Sequence, residues 1–172
     1  VLPPDINESF ADFSVVPGRQ TIRFGLTTIK NFGEGISEAI IEERKTNGRF
    51  ASLQDFLMRI KNRNLNKKSL EALIMVGAFD TMDERGHLLA NVDLMLAFNR
   101  EQVASAESAQ DSLFGHGGNS VSDLSLIPAP AATKAEKLIW EKDLLGIYVS
   151  GHPLDDYAAE VEKRPRIGTI LN

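Results

Sequence analysis

No cysteine occurs in the 172 residues, which excludes a disulfide framework and a thiolate-held metal site. The three histidines, His87, His116 and His152, stand far apart and match no metal-ligand spacing. No apolar run approaches the ~20 residues of a membrane span, so no membrane partner is expected. The opening residues, Val1-Leu2-Pro3-Pro4-Asp5, lack the charged-then-apolar layout of a signal peptide. An initiator Met is missing, and Gly168-Thr169-Ile170-Leu171-Asn172 looks like a strand just beginning. Both ends read as cuts in a longer, cytoplasmic polypeptide. Also missing are a phosphate-binding loop ending in Gly-Lys-Ser/Thr and a serine nucleophile elbow. Asp155 and Asp156 are adjacent carboxylates, but neighbours on a helix point apart, so they suit a helix N-terminus better than two-metal catalysis. Catalytic and metal-ligating residues are expected to be none.

Net positive charge is lacking too: the chain carries −5 overall. That total hides an asymmetry. From Arg19 to Lys68 there are eleven Lys/Arg against five acids, a local charge of +6, which leaves −11 elsewhere. A basic block in an acidic chain is what a local phosphate-binding face would look like. Basic helix faces that are merely solvated look the same.

Within that block lies Lys30-Asn31-Phe32-Gly33-Glu34-Gly35-Ile36-Ser37. Leu26, Ile29 and Phe32 give an apolar face before a Gly-x-Gly turn; Ile36, Ala39, Ile40 and Glu43 give helical spacing after it. The pattern is a helix-hairpin-helix. Gly33 and Gly35 are expected to permit positive φ and close backbone approach. The amides of Gly35, Ile36 and Ser37 would then sit unpaired at a helix N-terminus, where they can bind a phosphate oxygen without regard to base sequence. Lys30 and Lys45 are the basic neighbours expected to support such DNA binding. The same residues also fit a plain αα-corner whose glycines only serve the turn.

The rest reads as mainly α, a tandem helix-hairpin-helix bundle with a small N-terminal β-hairpin and a long loop. Residues 1–10 read as an extended entry. Phe13–Val16 and Thr21–Phe24 flank Pro17-Gly18 as a hairpin, and Gly48 stops the second helix of the motif. Ser52 caps a helix carrying Leu53, Phe56, Leu57 and Ile60. Asn66 caps another that Gly77 ends. This second pair lacks Gly-x-Gly and reads as a structural companion around one shared core, although Asn62, Asn64, Lys67 and Lys68 could add phosphate contacts. One longer helix is expected from Glu84 to Ala104. A Ser/Ala/Gly/Pro-rich stretch follows to Thr133, unusual inside a compact domain. Thr133 with Glu136 forms a capping box for a last helix packed through Leu138, Ile139, Leu144 and Leu145, with Trp140 as an anchor.

Several strings, in order, resemble one family: Val1-Leu2-Pro3-Pro4-Asp5-Ile6-Asn7, Ile22-Arg23-Phe24-Gly25-Leu26, Ile29 to Gly35, Leu70-Glu71-Ala72-Leu73-Ile74 with Gly77-Ala78-Phe79-Asp80, and Glu141 to Leu154. The family is the C-family of bacterial replicative DNA polymerases, and the likeness covers nearly the whole chain. It implies the end of the fingers in residues 1–25, a tandem helix-hairpin-helix unit in 26–104 and a flexible loop in 105–132. A helical part would follow in 133–165, and an oligonucleotide-binding domain would start in 166–172. The family's catalytic aspartates lie in a palm upstream of Val1, so the segment is not expected to be an enzyme and needs no cofactor. The parent is a DNA-directed DNA polymerase, a nucleotidyltransferase using Mg2+. Duplex DNA, the sliding clamp (beta subunit) and other replicase subunits are the implied partners. The family also carries an internal clamp-binding pentapeptide, which Gln110-Asp111-Ser112-Leu113-Phe114 fits in the expected place. The alternatives are a helix-hairpin-helix module of a DNA repair enzyme, or a protein-interaction scaffold without DNA binding.

Overall fold

Gly18, at φ 72°, turns the chain between two short strands. These are β1 (Ser14–Val15) and β2 (Ile22–Arg23), antiparallel with Ser14 opposite Arg23 and Val15 opposite Ile22. A computed structural model describes residues 1–61, 64–111 and 123–157. A single 3₁₀ turn (Leu26–Thr28) leads into α1 (Glu34–Asn47), and Gly48 stops it at φ 80°. Then come α2 (Leu53–Arg59), α3 (Lys67–Met75), α4 (Arg85–Ala90), α5 (Val92–Asp111) and α6 (Lys134–Leu145), with a 3₁₀ turn at Asp155–Tyr157. The protein is therefore mainly helical with one small hairpin, as the pattern implies.

The capping chemistry falls where the residue types put it. Ser52 Oγ accepts from Asp55 N at 3.1 Å, and Asn66 and Thr133 each form a reciprocal capping box. One apolar core joins both hairpins. Ile36 and Ile40 from α1, Phe56 and Leu57 from α2, and Leu70, Leu73 and Ile74 from α3 are all fully buried. Phe56 stands edge-on to both Phe50 and Phe79, at 5.2 and 5.0 Å between ring centres, an arrangement favoured by the ring quadrupoles. α3 packs against α4, α5 and α6, so the second hairpin is the centre of the bundle.

Five details differ from the sequence reading. Residues 1–10 are stitched into the core rather than trailing: Ile6 is fully buried, its amide donates to Ala78 O at 3.1 Å, and the Asn7 amide group bonds both Phe50 N and Phe50 O. The long helix is broken at Asn91, whose side chain leaves the helix to exchange hydrogen bonds with Ile127 N (2.8 Å) and Ile127 O (2.9 Å). α5 runs to Asp111, seven residues beyond the expected end, because Ser and Ala tolerate helix once nucleated. Residues 123–132 form no free loop but a strap over α4 and α5. Leu124 N donates to Gln54 Oε1, and Ala132 N to the Glu84 carboxylate; Leu124 and Leu126 pack on the core. Finally, Ile139 stays 58% exposed while Glu141 is fully buried, so the buried stripe of α6 is rotated from the one expected.

Candidate nucleic-acid interface

The hairpin tip is built from the 3₁₀ turn, the loop 29–33 and the first turn of α1. Lys30 N donates to Leu144 O at 3.1 Å, which ties the loop to the end of α6. Phe32, 5% exposed, anchors it below. The positive φ expected at the glycines falls instead on Asn31 (φ 66°), a residue type that tolerates the left-handed region. Gly33 is the N-cap of α1 with extended backbone, φ −78° and ψ 153°, and Gly35 lies inside the helix. Neither glycine is needed for φ.

Space is what distinguishes them. A Cβ on Gly33 would meet nothing within 4 Å, so the tip is open there. A Cβ on Gly35 would stand 2.9 Å from Asn64 Nδ2, which shows that the loop between α2 and α3 abuts the N-terminus of α1. The two hairpin tips are neighbours.

The sequence-expected residues divide accordingly. Lys30, Gly33 and Gly35 are brought together with the Ile36 amide. The amides of Glu34 and Ile36 precede the first helical hydrogen bond and have no partner among the described residues, as expected of a helix N-terminus. Ser37 is different: its amide already donates to Gly33 O at 3.2 Å, and its side chain is fully buried. Ile36 buries its side chain and can offer only its amide. Lys45 sits near the other end of α1, roughly 17 Å from the tip at ~1.5 Å per residue. In the proposed clamp-docking segment, Gln110 and Asp111 close α5, while Ser112, Leu113 and Phe114 lie outside the described residues. Asn62 and Arg63 also lie outside them.

Much of the basic block is already paired within the protein. Arg44 donates to Ile6 O (2.7 Å) and Ser9 O (2.8 Å), and burial pulls its guanidinium below its usual range. Arg59 lies 4.4 Å over the Phe50 ring and bridges Glu43 and Asp55. Arg49 pairs with Glu8, Arg23 holds Pro3 O, and Lys67 grips Asp93 at 2.9 Å. Besides Arg19 in the β-hairpin turn, Lys30, Lys61 and Lys68 remain exposed with no ion pair among the described residues. All three lysines lie on or beside the two adjoining tips.

The sequence reading missed one polar cluster entirely. Arg85, 2% exposed, donates to both Asp80 carboxylate oxygens (2.9 and 2.7 Å), Met75 O (3.0 Å) and Glu141 Oε1 (2.9 Å). Glu141 Oε2 in turn accepts from Val149 N and Ser150 N at 2.8 and 2.9 Å. The cluster clamps the turn after α3 to α6 and to the chain leaving it. In sequence these residues look like ordinary solvated helix charges. A second anchor is Glu84. Burial alone would raise its carboxyl, but Lys137 and the amides of Ala132, His87 and Gly86 outweigh that and lower it from 4.5 to about 2. Among the described residues no group of three or more acids and histidines could hold a metal, and no helix is long and apolar enough to cross a membrane.

Comparison with known proteins agrees with this architecture. The helix-hairpin-helix motif family matches residues 1–88. The chain is 42% identical over 163 residues to the DNA polymerase III subunit alpha of Neisseria meningitidis serogroup A, covering 94% of this chain and 14% of that protein. It is 41% identical over 157 residues to the DNA polymerase III subunit alpha of Thermus aquaticus, covering 91% of this chain and 12% of that protein. With the subunit of the same name from Borreliella burgdorferi it shares 38% identity over 176 residues, 100% of this chain and 15% of that protein. The chain thus spans only 12–15% of these curated relatives.

Proposed function

We propose a function from the premise that this chain belongs to the helix-hairpin-helix motif family: it is the segment of a bacterial replicative DNA polymerase that grips the phosphate backbone of duplex DNA and docks on the sliding clamp. Polymerisation itself, with its Mg2+ and nucleotide chemistry, belongs on this reading to other parts of the parent protein. The observation that carries the DNA half is the open tip. The Glu34 and Ile36 amides lie at the N-terminus of a 14-residue helix, beside a Gly33 with empty space at its Cβ position and an exposed Lys30. Amides so placed favour a phosphate oxygen of any sequence, and the adjoining Lys61 and Lys68 extend the positive surface. Lys45 would act only as a distant charge.

The test is a duplex titration with Gly33→Val. The Gly33 backbone is in the extended region, which valine adopts without strain, and the added side chain projects into open space. Binding should weaken at least several-fold, with the melting temperature lowered by only a few degrees because valine is a poorer N-cap than glycine. Salt should weaken wild-type binding with a slope of roughly −0.9 per phosphate contacted. Unaltered affinity in a folded Gly33→Val variant would make the hairpin purely structural, the scaffold alternative.

The clamp half is supported by the residue pattern Gln110-Asp111-Ser112-Leu113-Phe114 and by the likeness to replicase subunits. Leu113 and Phe114 are the only large apolar residues between Val103 and Val121. Burying both in a partner's pocket would contribute on the order of 1.5–3 kcal/mol each, and ordering the segment offsets part of this. An affinity no tighter than micromolar, about −8 kcal/mol, is expected. Leu113→Ala/Phe114→Ala should abolish clamp binding and leave the melting temperature unchanged; retained binding with a large drop in melting temperature would place the pair in the core instead.

A further inference from the structure

Five large apolar side chains that stay exposed lie within the first 22 residues: Val1, Phe10, Phe13, Val15 and Ile22. Val15 and Ile22 lie on the hairpin sheet and Val1, Phe10 and Phe13 on the chain leading to it. Clustered apolar exposure of this kind marks a docking surface. The sheet also has one open edge. Leu2 covers the far side of β2, with Leu2 N donating to Ile22 O at 2.8 Å and Phe24 N to Leu2 O at 3.1 Å. On the other side β1 has no neighbour among the described residues.

The register fixes which groups face that edge. Val16 N donates to Thr21 O at 2.9 Å. In an antiparallel ladder bonded and non-bonded pairs alternate, so the Val15–Ile22 pair is the non-bonded one. The amide and carbonyl of Val15 therefore point outward, spaced to receive another strand. Beside them runs a groove of about 440 Å³ between β1 and α1, lined by Phe10, Val15, Pro17 and Ile41 and flanked by Arg23 and Lys45. Its only acid, Glu8, is neutralised by Arg49, so the groove is net basic.

We propose that this edge and groove receive an extended, apolar, carboxylate-bearing segment of the parent polypeptide, added as a strand alongside Val15. The proposal rests on the replicase-segment reading but not on DNA or clamp binding. The apolar lining asks for apolar side chains and the Arg23/Lys45 rim for a carboxylate. The outward carbonyl of Val15 suits a backbone amide and would repel a phosphate. Two copies of this chain would bring two basic rims together. A tethered segment also needs little intrinsic affinity, because the tether holds its local concentration high. The relatives, of which this chain covers 12–15%, have ample chain to supply it.

Amide hydrogen exchange, without DNA, on the 172-residue chain and on the full-length parent polypeptide tests it. The Val15 amide should exchange quickly in the former and about 100-fold more slowly in the latter, as an edge group closed by a new strand should. Benzoylphenylalanine at position 10 of the full-length polypeptide should photo-cross-link within the same chain, to a stretch outside these residues that contains Asp or Glu. Lys45→Glu should lower that yield several-fold without altering the melting temperature, since the Lys45 side chain is 77% exposed. Equal Val15 exchange in the two proteins, or a cross-link joining two copies, would overturn the proposal. A failure here leaves the Gly33→Val result standing, because that readout uses DNA and a different face.

Discussion

Replacing Arg85 by Met is the most discriminating perturbation of the fold. Arg85 is 2% exposed and Glu141 is fully buried. Removing the guanidinium takes away the bonds to Asp80, Met75 O and Glu141 together, but the damage comes from what stays behind. The Glu141 carboxylate remains out of water with only the Val149 and Ser150 amides to hold its charge. Breaking a buried ion pair in this one-sided way costs about 3–5 kcal/mol. For a chain of this size each kcal/mol is worth about 2–4 °C, so the melting temperature should fall by about 10–15 °C. Thermal unfolding followed by circular dichroism measures it. Two further readouts separate this mechanism from simple loss of packing. Arg85→Met/Glu141→Leu should recover part of the loss, because no orphan charge is left. The single variant's deficit should also shrink in acid, where Glu141 can be neutralised. A single-variant cost below about 1 kcal/mol would refute the reasoning, since the orphaned buried charge sets the expected scale. So would a double variant worse than the single by the full value of a second loss. Duplex affinity should be unchanged in either variant that remains folded, because no residue of the cluster belongs to the Gly33 tip.

Glu84 gives a pH signature. Its carboxyl is lowered from 4.5 to about 2 in the folded chain, so its stabilisation is fully present above about 4.5 and is lost as pH falls toward about 2. The amount is at most about 3 kcal/mol, reduced by solvent screening of this partly exposed carboxylate, and Glu84→Gln should flatten that part of an acid-unfolding profile measured against wild type. Gly86→Val should detach the strap, because a Cβ at Gly86 would stand 2.5 Å from Ala132 N and 2.6 Å from Pro130 O; faster exchange of the Ile127 and Ala132 amides, with α1–α3 protection intact, is the expected result. Asn99→Leu should cost about 1–3 kcal/mol by denaturant titration, since it leaves Leu57 O and Ile60 O, now held at 2.7 and 2.8 Å, without a donor in the core.

Local chemistry was legible in the chain itself. Ser52, Asn66 and Thr133 announce helix starts because their side chains can bond only nearby amides, and Gly48, Gly77 and Gly146 announce stops because the positive φ there excludes most other residues. The apolar periodicity of Ile36/Ile40 and Leu70/Leu73/Ile74 fixed which faces turn inward, and the Gly-x-Gly turn marked the hairpin. What tertiary structure alone decided depends on groups far apart in sequence. Positive φ moved to Asn31 once the loop was tied to Leu144. Ser37 was withdrawn into the core. Arg44 and Arg59 became struts and Arg49 was paired at the surface because carbonyls and acids from residues 5–10 and 43–55 happened to close around them. The same holds for Arg85 and Glu141, which are 56 positions apart. Periodicity and capping reach four residues along the chain. A charge is solvated or buried according to what folds against it, and that information is not local.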